Sequence, residues 1–124
     1  MSSWQRPTSL EYPRVWIIFR ARDVDSDELV EYRIQDLPGD RVEDAIAHMK
    51  TFFLRDEPMC SSVGLYRDPD ALDEFAEMWR TVAAQKVAVV CFRAGSDEIV
   101  GLNMLTVVSQ ANAKEYKVGW EVFA

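Results

Sequence analysis

An uninterrupted apolar run near residue 90 limits the possible folds more than any other feature of this chain. Residues 87–92 are Val-Ala-Val-Val-Cys-Phe, and a run this short and rich in β-branched residues predicts a fully buried central strand within residues 86–93. A turn at residues 94–97 and a second apolar stretch over residues 98–109 complete a hairpin. Gly101 inside the second stretch indicates either a bulge or a close approach by a ligand.

The preceding residues predict another hairpin and two helices. Residues 15–20 favour a strand, and the alternation of Val30, Tyr32 and Ile34 with polar residues predicts its partner, with one face buried. Asp40, followed by Glu43, resembles a helix N-cap with its reciprocal acid, and Asp68-Pro69 predicts the second helix start. The apolar stripes are Val42, Ala45, Ile46, Met49, Phe52 and Phe53 in the first helix, and Leu72, Phe75, Ala76, Trp79, Val82 and Ala83 in the second.

These elements predict an α+β fold of the α/β sandwich type, with a mainly antiparallel sheet of about four strands packed against two helices. Residues 1–13 have no apolar period and are expected to form a loose lead-in, followed by a single partial domain over residues 14–124. Within that domain, residues 111–116 could be helical and residues 118–123 could be extended.

Charge and composition exclude several classes of function. Fourteen basic and twenty-one acidic residues give a net charge of -7, which argues against nucleic acid or anionic lipid as a partner. This charge suits a cationic substrate, but a mild excess of acidic residues is more commonly explained by solubility alone. No apolar stretch approaches the length of a membrane span. Cys60, Cys91 and His48 do not form a zinc or haem motif, so no metal site is expected. Free thiols in a reducing compartment, and therefore a cytoplasmic location, are predicted.

Residues 51–64 contain the candidate for chemistry. Two aromatic residues end the first helix and lead into Asp56-Glu57-Pro58. Because proline disfavours a helical conformation in the residue before it, the helix should end before Glu57 and leave its carboxylate in a loop beside Phe52, Phe53 and Met59. Apolar surroundings would raise the pKa of this carboxyl toward neutrality, as a general base for a protonated amine requires. The alternative is a solvated acidic loop without a catalytic role.

Three segments carry a resemblance to a known family. They are Y-R-I-Q-D-L-P-G-D-R-V-E-D-A-I-A-H-M-K-T-F-F-L-R-D-E-P-M-C, D-P-D-A-L-D-E-F-A-E-M-W-R and V-V-C-F-R-A-G-S-D-E-I-V-G-L-N-M-L. In this order and at these spacings, over roughly residues 31–110, the chain resembles the insect arylalkylamine N-acetyltransferases of the GNAT superfamily. The F-F-x-x-D-E-P stretch is the most specific part of the resemblance.

The resemblance implies an activity and a set of site residues. The family transfers the acetyl group of acetyl-coenzyme A to a primary amine, and the glutamate of its D-E-P loop, here Glu57, is regarded as the catalytic base. Phe53, Asp56, Pro58 and Met59 would then lie close to the side chain of the amine substrate. The aromatic ring of Phe53 suits an arylalkyl group, although packing alone would also explain this residue.

One departure from the family pattern concerns the coenzyme. The family holds the coenzyme pyrophosphate on a loop of the form Arg/Gln-x-x-Gly-x-Gly/Ala, and the glycines at 39, 64, 95, 101 and 119 never form the required pair. The coenzyme-binding residues are therefore unknown, and the sequence resembles the N-terminal, substrate-side half of the enzyme. The alternatives are a truncated non-catalytic paralogue that dimerises through the exposed edge of the strand at residues 98–109, or a plain α+β binding domain.

Overall fold

A four-stranded antiparallel sheet forms one layer of the molecule. The computed structural model describes residues 4–108, apart from the side chain of Tyr66, so the predictions for residues 111–116 and 118–123 lie outside the described part. The strands are β1 (Val15–Arg22), β2 (Leu29–Asp36), β3 (Val89–Arg93) and β4 (Ile99–Asn103), in the spatial order β1-β2-β3-β4. The predicted α+β fold is confirmed.

The helical layer lies between β2 and β3 in the chain. It comprises a 3-10 turn (Gly39–Arg41), α1 (Val42–His48), a π-turn (Met49–Phe53), α2 (Leu54–Asp56), α3 (Pro58–Ser62), a second 3-10 turn (Leu65–Arg67) and α4 (Pro69–Ala83). The predicted start of α4 is confirmed, because the Asp68 carboxylate accepts hydrogen bonds from the backbone N–H groups of Asp70 and Ala71. Among residues 4–108, no helix is long and apolar enough to span a membrane.

The predicted N-cap at Asp40 is wrong. Pro38 has an extended backbone conformation, and the 3-10 turn that follows it already contains Asp40. An N-cap residue needs a non-helical backbone conformation to direct its side chain at the free N–H groups, and Asp40 lies one residue too far into the helical region. No side-chain cap is formed at the start of α1.

The helices pack on one face of the sheet and form two connected cores. Val90 and Phe92 on β3 point into this side, whereas Val89 and Cys91 alternate with them and are only partly buried. The central position of β3 is therefore confirmed, but its burial on both faces is not. The buried residues are Leu37, Ala45, Ala83, Ala88, Val90 and Phe92 in the first core, and Ile46, Met49, Leu54, Cys60, Ala76 and Trp79 in the second.

The N-terminal segment contacts the opposite face of the sheet. The Arg6 guanidinium donates hydrogen bonds to Asp36 Oδ2 at 2.8 Å and to the Lys86 carbonyl oxygen at 2.8 Å, and its side chain is buried. These contacts attach the segment more firmly than the predicted loose lead-in. The predicted domain boundary at residue 14 remains a prediction.

Strand β4 is shorter than the apolar stretch that predicted it. The ladder ends at Asn103, and beyond it the Gln85 side-chain amide bonds to both the N–H and the carbonyl of Val107, at 2.9 and 3.0 Å. A side chain thus replaces strand pairing at this point. Pairing between β3 and β4 shifts register between Cys91 and Phe92, next to Gly101, which agrees with the bulge predicted there.

Candidate functional site

Glu57 lies at a one-residue break between two helices. The first helical segment, residues 42–56, ends at Asp56 as predicted, and Glu57 has an extended backbone with φ -70° and ψ 124°. Its N–H still donates to the Phe53 carbonyl oxygen at 2.8 Å, while Pro58 already begins α3. Proline therefore fixes both the end of one helix and the start of the next.

The Glu57 carboxylate caps α3, which differs from the predicted loop. Glu57 Oε2 accepts a hydrogen bond from the Cys60 N–H at 2.7 Å. The pKa of Glu57 is lowered, mainly by the Cys60 N–H and also by the Cys60 thiol and the Met59 N–H, which all stabilise the charged form. The expected rise of this pKa is wrong for this chain, since these hydrogen bonds outweigh the partial desolvation. Glu57 is an ionised carboxylate at neutral pH.

Cys60 lies in the core and forms hydrogen bonds to the Glu57 carboxylate. Its side chain is buried, and burial together with hydrogen bonding and charge repulsion from Glu57 raises the pKa of the thiol to about 11. A thiol with this pKa is protonated at neutral pH, so it can donate to Glu57 and is a poor nucleophile. Sequence reasoning missed this role, although Glu57-Pro58 repeats the acid-proline signal that predicted α4 at Asp68-Pro69.

A π-turn brings the two aromatic residues of the site to the surface. The extra residue in the turn Met49–Phe53 rotates the chain off the apolar stripe, and Phe52 and Phe53 are 44% and 37% exposed. The Phe52 ring packs against the His48 ring, at 4.7 Å between centroids, and Phe53 contacts Trp79 edge to face at 6.2 Å. The stripe predicted both rings as core residues; instead they form part of an accessible apolar surface.

The other predicted site residues lie around Glu57. Met59 is 59% exposed and donates its backbone N–H toward the Glu57 carboxylate, and Pro58 is exposed. The Asp56 carboxylate points to solvent and is held by Arg55, which donates from Nε at 2.9 Å and lowers the pKa of Asp56. Glu57, Phe53 and Met59 thus offer an anion beside apolar surface, whereas the charge of Asp56 is already paired.

The described residues contain no candidate metal centre. Within residues 4–108, no group of three or more His, Cys, Asp or Glu side chains could hold an ion. The ionised Glu57 carboxylate can attract a cation and accept a proton.

Comparison with known proteins identifies one close structural relationship. No protein-family model matches the sequence, and no curated protein matches it. The chain is similar to a solved structure assigned as an insect arylalkylamine N-acetyltransferase 7, from the yellow fever mosquito, with 46% sequence identity and a TM-score of 0.84. The similarity covers 88% of this chain and 46% of that chain, so the chain spans less than half the length of the protein it matches.

Proposed function

We propose that this chain, which resembles part of an insect arylalkylamine N-acetyltransferase of the GNAT superfamily, supplies the amine-binding part and the general base of an acetyltransferase. The observation that carries the proposal is the match to the solved structure over 88% of the chain at 46% identity. The proposed substrate is a primary arylalkylamine, and the proposed acetyl donor is acetyl-coenzyme A, which supplies a reactive thioester.

Glu57 is the proposed catalytic base. A primary amine is protonated at neutral pH, and its nitrogen must lose a proton before its lone pair can attack a carbonyl carbon. The lowered pKa keeps Glu57 ionised, so the carboxylate attracts the ammonium group and accepts its proton directly or through a bound water. A covering protein surface would exclude water from Glu57, raise its pKa and strengthen it as a base.

Four neighbouring residues shape the proposed amine site. The exposed apolar surfaces of Phe53 and Met59 would contact the aryl group. Pro58 holds Glu57 in its extended conformation, and Asp56 adds negative charge near the ammonium although Arg55 partly offsets it. The net charge of -7 favours the approach of such a cation.

The residues described here do not fit the coenzyme pyrophosphate. Helix starts bind phosphate through free N–H groups, but the first turn of α1 carries Glu43 and Asp44, and α4 begins at the Asp68 cap. These carboxylates repel a second anion. We therefore assign no residue between 4 and 108 to the coenzyme.

The proposed cytoplasmic location is supported by the free thiols of Cys60 and Cys91.

A non-catalytic interaction module is the second candidate. The observation that favours it is the sheet itself, since β1 and β4 both lie at an edge in the described part of the chain. An unpaired edge presents N–H and carbonyl groups to another chain. The sequence predicted self-association through the edge occupied by β4, and nothing in the described residues tests that prediction.

Amine binding by the chain itself tests the enzyme proposal. Tyramine should shift the NMR signal of the exposed Met59 methyl group while leaving that of buried Met49 unchanged, because only Met59 lies on the proposed site. Phenylethanol, which has no ammonium group, should bind more weakly. Glu57→Gln should weaken tyramine binding, whereas Glu74→Gln on the exposed side of α4 makes the same charge change and should not.

Turnover with acetyl-coenzyme A is measured on the same samples. Where the chain acetylates tyramine, Glu57→Gln should lower the rate by about two to four orders of magnitude, the usual contribution of a general base, and Glu74→Gln should keep it. An unmoved Met59 signal at millimolar tyramine would remove the amine site from this surface. An unchanged rate in Glu57→Gln would remove Glu57 from the mechanism.

A further inference from the structure

Strand β1 is an exposed apolar edge. Val15, Trp16, Ile17 and Ile18 are all exposed large hydrophobic residues, and Ile18 is 60% exposed. Within residues 4–108, β1 pairs with β2 and has no strand on its other side. The strand sequence contains no proline and no lysine, two residues that often protect such an edge from pairing with another chain, and its charges, Arg20 and Arg22, are confined to its second half.

The β4 edge offers less to a partner. Strand β4 has five residues where β1 has eight, and a register shift interrupts its pairing with β3. Beyond Asn103 the chain is held by the Gln85 side chain, away from regular strand pairing. A partner strand would therefore find a longer regular ladder at β1 than at β4.

The two faces of β1 are fixed by its pairing with β2. Ile18 pairs with Arg33, which in turn pairs with Phe92, so Ile18 and Arg20 lie on the helix-covered face of the sheet. Ile17, Phe19 and Ala21 lie on the opposite face, where the Phe19 ring stacks on the Tyr32 ring at 5.6 Å between centroids. A bulge at Trp16 interrupts the ladder at the start of the strand, leaving residues 17–22 as its regular part.

We propose that β1 pairs antiparallel with β1 of a second copy of this chain, joining the two sheets into one. A two-fold axis between antiparallel edges runs perpendicular to the sheet and preserves its faces, so only residues on the same face can pair. With Phe19 on the axis, it pairs with Phe19 of the second copy and extends the aromatic row that begins at Tyr32. Ile18 then lies opposite Arg20, and Ile17 lies opposite Ala21.

Charge and strand length select this register. Placing Arg20 on the axis would bring two guanidinium groups together, and placing Ile18 there would pair only residues 17–19 of the regular part, because the bulge at Trp16 ends it. With Phe19 on the axis, the aliphatic stem of Arg20 covers Ile18 and no like charges are opposed within residues 17–21. The apolar first half of the strand meets the basic second half of its copy, so β1 is complementary to itself. This association does not depend on the proposed acetyltransferase activity.

Light scattering after size-exclusion chromatography tests the interface. At tens to hundreds of micromolar, the chain should have twice its monomer mass of 14.3 kDa. Ile18→Lys should be monomeric, because it places two cations opposite each other. Val100→Lys is the matched control on β4, where the native side chain is 45% exposed, and it should remain dimeric. Circular dichroism confirms that both variants are folded.

Oxidative cross-linking tests the register even if Ile18→Lys fails to fold. In a Cys91→Ser background, Phe19→Cys should form a disulfide-linked dimer, because this position faces itself across the axis. Ile17→Cys should cross-link much less, since its partner is Ala21. A monomeric wild-type chain, or loss of the dimer in Val100→Lys alone, would overturn the proposal. Equal cross-linking of both cysteine variants would overturn the register.

Discussion

Asp36 is a buried carboxylate that holds the N-terminal segment and the start of β1 in place through hydrogen bonds. It is 1% exposed, and its oxygens accept hydrogen bonds from the Arg6 guanidinium, the Arg14 N–H and the Trp16 indole N–H, at 2.8 to 2.9 Å. Three donors from one segment of the chain therefore meet on one carboxylate. A buried charge needs this degree of compensation, because it has given up its hydration.

Removing one partner of this ion pair should strongly destabilise the chain. Arg6→Met leaves the Asp36 charge buried without its counterion, and we expect the free energy of unfolding to fall by about 3 to 5 kcal/mol. Urea denaturation measures this loss, and Arg20→Met, at an exposed position of β1, should cost much less. The double variant Arg6→Met with Asp36→Leu should be more stable than Arg6→Met alone. Equal losses at Arg6 and Arg20 would show that the pair contributes little.

At the residue scale, the sequence predicts where a helix ends better than it predicts the pKa or the hydrogen-bond partners of a side chain. Pro58 predicts the helix end before Glu57 because its ring restricts the preceding backbone. The pKa of Glu57 depends instead on N–H groups that become available only when α3 forms, and α3 is too short to be evident from an apolar period. Arg6 gives no signal at all, because its partner Asp36 lies thirty residues away in the chain.

At the element scale, α1 and α4 differ in how closely they follow their apolar period. The α4 stripe faces the core throughout, with Ala76, Trp79 and Val82 all buried. The period in the first helical segment fails at its end, because the π-turn shifts Phe52 and Phe53 outward. A helical period assumes uniform rotation per residue, so it cannot predict the place where an extra residue enters a turn.

The cap of α4 should contribute measurable stability. Asp68→Ala removes the acceptor of the Asp70 and Ala71 N–H groups, and we expect a loss of about 1 kcal/mol. Thermal or urea unfolding measures it, with Asp68→Asn as the variant that keeps the acceptor and most of the stability. Asp73→Ala, further along α4, should change little. Equal free energies of unfolding for Asp68→Ala and Asp73→Ala would show that the cap does not stabilise the chain.

At the scale of the whole molecule, all the helices of residues 4–108 cover the same face of the sheet. The continuous apolar run in β3 predicted burial on both faces, and in the described part of the chain this is met for Val90 and Phe92 but not for Val89 and Cys91. The apolar run therefore predicts the helix-side face of β3 correctly but not its other face, on which the N-terminal segment contacts Asp36, the residue that pairs with Val89.

The alkylation rates of the two cysteines should differ, because Cys60 lies on the helix-covered side of the sheet and Cys91 lies on the opposite face. Cys60 lies in the helix-side core with a pKa raised to about 11, whereas Cys91 is partly exposed and its pKa is raised by burial alone. Iodoacetamide attacks the thiolate, so Cys91 should be alkylated faster than Cys60 in the native chain at pH 8. The rate at Cys60 should keep rising with pH toward 11. Mass spectrometry after timed quenching measures both, and equal native rates would contradict the described burial.

Spatial order and chain order coincide in this sheet, since each strand pairs with the one before it in the chain. During synthesis from the N-terminus, β2, β3 and β4 therefore each emerge after the strand with which they first pair, although β2 keeps one open edge until β3 follows the helical layer. Arg6 and Asp36 likewise both emerge before the helices. This order allows the sheet to grow by one strand at a time.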